Sequence, residues 1–166
     1  MKWWMPILVM LVAALIQATW LHHFAIGGVH PDLVLLIVVA WSLLRGTREG
    51  VILAFLGGFF LDSLSAAPFG VFTISLLLVA FITGLGEINI LRMTFILPLL
   101  VGFLATLLYY ILAFVMLRTL QWNISITFAL QTGGRAALYN TLLMPFVYVL
   151  SLRVHRVLER IEQRQY

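Results

Sequence analysis

The sequence predicts an all-α polytopic membrane protein with six transmembrane helices. Hydrophobic side chains make up 63% of the 166 residues and charged ones only 10%, whereas about a quarter of a soluble domain is charged. The apolar residues fall into six runs with short connections, and most basic residues stand singly at the ends of those runs. A spanning helix uses roughly 20 residues, so the length fits one bundle and leaves no room for a second domain.

The first run, Trp3 to Leu21, follows Lys2 as a secretory signal would. Its length and the lack of a small-x-small cleavage site between Gln17 and His23 favour a retained span. The second and third runs, Leu33 to Leu44 and Gly50 to Leu61, are short. Twelve helical residues rise only about 18 Å, so these runs must extend into their flanks or be shielded by longer neighbours. Two crossings joined by a tight turn bracketed by Gly46 and Gly50 keep Arg45, Arg48 and Glu49 at an interface. A re-entrant hairpin would bury those charges. The remaining runs are Val71 to Leu85, Thr94 to Leu117 and Ala136 to Leu152. The longest connection, Arg118 to Arg135, contains Gly133 and Gly134 and is long enough for a small cap.

Orientation follows from the basic residues. With the N-terminus inside, Lys2, Arg45, Arg48, Arg92, Arg153, Arg156, Arg160 and Arg164 are cytoplasmic, against Arg118 and Arg135 outside. Both termini are then cytoplasmic. Trp3, Trp4 and Trp41 fall near the inner interface, and Trp20 and Trp122 near the outer one. The formal charge of +4 is a topology signal in this arrangement, and nucleic acid is not an expected partner. Residues 1–152 form the membrane domain. Residues 153–166 form a basic cytoplasmic tail in which Val154, Val157, Leu158 and Ile161 recur at helical spacing. Arg153, Arg156, Arg160 and Arg164 would hold this tail on anionic membrane lipids or against a cytoplasmic partner.

Few residues suggest chemistry. Cysteine is absent, which removes thiolate catalysis, disulfides and cysteine metal sites. No paired acids and no phosphate-cradling glycine loop occur in the runs, so neither a catalytic residue nor a cofactor is expected. His22, His23 and His30 lack an i, i+4 pair, and no metal site is assigned to them. Gly50, Ala54 and Gly58 align on one helix face, for internal packing in the first instance or for a partner helix. Asp62 follows that face and precedes Ser63, Ser65, Pro68 and Gly70. A carboxylate bonding nearby backbone N–H groups is the leading reading, ahead of a ligand or partner site. Asp32, after Pro31, is read as a cap for the first turn of its span. Gln17, Ser42, Thr73, Ser75, Thr83, Thr106 and Asn140 suit interhelical hydrogen bonds.

Pro31-Asp32-Leu33, then Gly57 and Gly58, then Phe60-Leu61-Asp62-Ser63-Leu64-Ser65 and Pro68-Phe69-Gly70 resemble the rod shape-determining protein MreD family. The resemblance covers roughly residues 6 to 155, and its specific part lies between Pro31 and Gly86. It implies a non-enzymatic inner-membrane scaffold of the bacterial cell-elongation complex. Such a subunit binds MreC and helps couple MreB filaments to peptidoglycan synthesis by RodA and its class B transpeptidase. A homo-oligomer is compatible with this reading. The resemblance also implies a fold similar to the S subunits of energy-coupling-factor transporters, which makes a vitamin-binding transporter subunit the alternative. Ala14 and Ala18 form a small-residue pair of the kind such subunits use, but toward the outer half of the span.

Overall fold

The computed structural model describes residues 4–19, 29–86 and 96–162. They form five helices: α1 (Trp4–Thr19), α2 (Leu33–Leu64), α3 (Val71–Leu85), α4 (Ile96–Thr119) and α5 (Ile126–Glu162). Two of these are long and apolar enough to cross a membrane, Ile96–Thr119 in α4 and Ile126–Leu158 within α5, while Met5–Thr19 and Val71–Leu85 are shorter apolar helices.

α2 is folded back on itself. Gly46 adopts φ 80°, ψ −175°, a conformation essentially confined to glycine, and the chain reverses there. Gly50 then faces Ser42, and a Cβ on Gly57 would come within 2.6 Å of Val34. Two antiparallel arms result, 33–45 and 47–64. The expected turn bracketed by Gly46 and Gly50 is therefore corrected: Gly46 alone makes it, and Gly50 is a packing residue of the second arm. Arm 33–45 is the centre of the bundle. Val34, Leu35, Leu36, Val38, Val39 and Ala40 are all buried, and a helix apolar on every side must be surrounded. The short second run is thus shielded by its neighbours.

Arm 47–64 and α3 form a second hairpin, with Gly58 against the Thr73 backbone and Gly84 against that of Thr47. The turn between them uses a bond from the Ala67 N–H to Ser65 Oγ (3.0 Å) and Gly70 in the left-handed region at φ 101°. α4 and α5 form a third hairpin, in which Gly102 meets Met144 and Gly133 meets Tyr110.

The connection between α4 and α5 is much shorter than the sequence suggested. Gln121, at φ 62°, ends α4 as the Gln121 N–H bonds Arg118 O and the Trp122 N–H bonds Leu117 O, the paired bonds of a Schellman motif. α5 begins by Ile126, so the expected cap reaching Arg135 is mostly helix. Gly133 reads as a loop residue, yet its missing side chain lets Tyr110 approach; a Cβ there would lie 3.2 Å from Tyr110 Cβ. At its other end α5 runs through residue 153 without interruption to Glu162, so the tail continues the last helix.

Several polar groups are buried among the apolar core, while large apolar side chains cover much of the outside. Asn140 is fully buried while its neighbour on the next helical face, Leu142, is 77% exposed. Leu138, Leu142, Phe146 and Leu150 recur at i+4 along the exposed face of α5, and Leu100, Leu104, Ile111 and Val115 line that of α4. Water would penalise such a surface, whereas hydrocarbon does not.

Candidate functional site

The hairpin of α2 brings its two ends, and with them Asp32 and Asp62, to one end of the bundle. Both carboxylates are buried, at 4% and 3% exposure, but they do different work. Asp62 caps α3 from outside that helix. Its Oδ1 accepts from the Phe72 N–H (3.0 Å) and its Oδ2 from the Thr73 N–H (3.0 Å) and the Thr73 hydroxyl. First-turn N–H groups have no intrahelical partner, and a carboxylate also complements the positive end of the helix dipole. Gly58, one turn before Asp62, permits the close approach that makes these bonds short enough.

Asp32 does not cap α2 with its side chain, contrary to the expectation. The free N–H of Val34 is instead taken by Gln17 Oε1 at 2.9 Å. Gln17 Nε2 donates to Asp32 Oδ1 at 2.9 Å, and the Tyr110 hydroxyl donates to Asp32 Oδ2 at 2.7 Å. The Asp32 N–H donates to Asn140 Oδ1 at 2.9 Å, and Asn140 Nδ2 donates to the Thr106 hydroxyl at 3.3 Å. This network ties α1, α2, α4 and α5 together. Of the expected interhelical bonders, Gln17, Thr73, Thr106 and Asn140 serve in that way. Ser42, Ser75 and Thr83 donate within their own helices.

A cavity of about 460 Å³ opens beside the network. Gln17, His30, Asp32 and Tyr110 supply polar groups, and the walls include Leu61, Phe72, Tyr109, Phe114 and Phe128. Phe72 and Tyr109 are stacked with centroids 6.4 Å apart, and Tyr109 meets Tyr110 edge-on at 5.6 Å.

At the opposite end, beside the Gly46 reversal, Arg45 Nε donates to His155 Nδ1 at 2.8 Å and pairs with Glu49 at 3.3 Å. Trp41 Nε1 donates to Glu49 Oε2 at 3.0 Å, and the Arg45 guanidinium lies 6.0 Å from the Trp41 ring centroid. Trp41 is buried beside the Gly46 turn, with its indole N–H spent on Glu49. The tail leaves its apolar stripe open. Val154 and Val157 are exposed while His155 is buried, because i, i+4 from Ser151 points at the core.

Gly50, Ala54 and Gly58 are buried against Ser42, the core and Thr73 respectively. Pro68 and Gly70 lie in the turn before α3, where the Val71 N–H bonds Pro68 O and the Ile74 N–H bonds Gly70 O. Arg153 and Arg156 are exposed. The Arg160 side chain is not described, and Lys2, Trp3, Trp20, His22, His23, Arg92 and Arg164 lie outside the described residues. Among the described residues no group of three or more His, Asp or Glu assembles.

An apolar exterior around helices stitched by internal polar bonds defines a membrane-associated helical bundle. The profile of the rod shape-determining protein MreD family matches residues 1–154, and the chain belongs to that family. Its members are membrane-associated shape-determining proteins, not a known enzyme family. Searches of curated proteins and of solved structures gave no match.

Proposed function

We propose that the chain is a multi-pass scaffold of the bacterial cytoplasmic membrane that binds MreC. It would thereby help couple MreB to peptidoglycan synthesis by RodA and its class B transpeptidase. The family match over residues 1–154 carries this reading. In it α1, the two arms of α2, α3, α4 and α5 make six crossings, with both termini and the Gly46 turn cytoplasmic. The distribution of basic residues supports that orientation. The buried polar residues also fit a scaffold: Asp62, Gln17 and Asn140 are engaged in holding helices together, and the exterior is left apolar for lipid and for partner helices.

The Gly50, Ala54 and Gly58 face is consumed by internal packing, so a partner would meet other surfaces, such as the exposed rows of α4 and α5. The cavity beside Asp32 favours one second reading, a vitamin-binding S subunit of an energy-coupling-factor transporter. Depletion of the chain in its bacterial host separates the two. The scaffold reading expects loss of cylindrical growth that added vitamins do not repair; a growth defect cured by a vitamin, with shape intact, supports the transporter.

A further inference from the structure

We propose that the cavity beside Asp32 binds an organic ammonium, a protonated amine carried on an apolar body. A carboxylate offers about four acceptor sites. Asp32 uses one per oxygen, toward Gln17 and Tyr110, and both donors are neutral. No lysine or arginine is among the described lining residues; the basic side chain there is His30, whose imidazole acts electrostatically on Asp32 and leaves the two unused acceptor positions open to a stronger cation. A buried anion is costly unless a charge and hydrogen bonds offset it, and an ammonium supplies both.

Asp32 is also held ready. Its backbone N–H is fixed by Asn140, whose amide is in turn fixed by Thr106, so the carboxylate needs no rearrangement to receive a donor. The cavity, at about 460 Å³, lies within the range of small-molecule sites, roughly 300–1,000 Å³. Its walls suit the rest of the ligand. Phe72, Tyr109 and Phe114 line it with apolar aromatic surface, which suits the body of an organic cation.

The test uses the full chain in phosphatidylcholine nanodiscs, with empty nanodiscs as the partitioning control. Three probes of similar size, 2-phenylethylammonium, 2-phenylethanol and 3-phenylpropanoate, are compared by saturation-transfer NMR and calorimetry. The ammonium should bind about tenfold or more tighter than the alcohol, as a charge-assisted bond implies, and the carboxylate should not bind. Asp32→Asn should abolish the advantage of the ammonium. Ala113→Phe, which fills the cavity from α4 and leaves Asp32 and its partners in place, should abolish ammonium binding even if Asp32→Asn fails to fold.

Repeating the wild-type titration in phosphatidylethanolamine nanodiscs identifies the source. A weaker apparent affinity there means that a lipid headgroup supplies the ammonium, and an unchanged affinity means a free amine; both support the site. Equal binding of the ammonium and the alcohol to the wild type overturns it, as does ammonium binding that survives Ala113→Phe.

Discussion

Gly58→Ala should destabilise the bundle far more than the same change at Gly134. A Cβ on Gly58 would lie 2.9 Å from Thr73 N and closer still to Thr73 Cα. Both are backbone atoms at the start of α3, so no side chain can swing aside. Reaching ordinary contact at 3.4 Å requires α3 to retreat by about half an ångström or more at this point. The Asp62–Thr73 N bond, now 3.0 Å, would then stretch beyond the roughly 3.2 Å limit of a good N–H···O bond. Overpacking costs about 1–3 kcal/mol, and weakening a bond to a charged acceptor adds about 1.5–3 kcal/mol. A total of about 2.5–6 kcal/mol follows from these two terms. Gly134 has nothing within 4 Å of its would-be Cβ, so Gly134→Ala should be neutral or stabilising by up to about 1 kcal/mol through helix propensity. Thermal unfolding of both variants in one detergent, followed by size exclusion, provides the comparison. Equal midpoints would refute the argument that α3 is pinned by close approach at Gly58 and by the Asp62 carboxylate.

Three further outcomes are expected. Gly46→Ala, at φ 80°, ψ −175°, should cost about 1–3 kcal/mol of backbone strain, read as a lowered unfolding midpoint; an unchanged midpoint would mean that the hairpin does not turn there. Asp62→Asn keeps one oxygen acceptor for the α3 N-terminus and should retain more thermal stability than Asp62→Ala, which leaves the Thr73 N–H without that acceptor, by about 1–2 kcal/mol; the reverse order would deny the capping role. In this cysteine-free chain, Arg48→Cys and Ala66→Cys are both at exposed positions. An impermeant thiol reagent added outside intact cells should label Ala66→Cys and spare Arg48→Cys, and the opposite pattern would invert the proposed orientation.

The parts of this arrangement legible in sequence are those fixed by neighbours along the chain. Asp62 could be read as a backbone-bonding carboxylate because the turn residues Ser65, Pro68 and Gly70 follow it and α3 starts soon after, at Val71, with Phe72 and Thr73 in its first turn. The apolar runs revealed helices, but their ends depended on packing. Gly133 and Gly134 look like loop glycines until Tyr110 is seen against Gly133, and Gly46 and Gly50 are equivalent in sequence although one turns the chain and the other receives Ser42. Asp32 was misread for a stronger reason. Its partners Tyr110 and Asn140 are 78 and 108 residues away, and a residue after proline at a helix start carries the same local signal whether it caps its own helix or joins a distant network. The Arg45–His155 contact, 110 residues apart, was hidden in the same way, since a histidine in a basic tail gives no sign of facing the core.

Affinity capture of the tagged full chain from solubilised membranes of its host, with partners identified by mass spectrometry, tests the proposed scaffold role most directly. The account expects MreC in the eluate, retained when Asp32→Asn alters the cavity. It also expects MreC to be lost together with the fold in Gly58→Leu, because that face packs inward against Thr73. Recovery of an energy-coupling ATPase module with a bound vitamin, and no MreC, would contradict it.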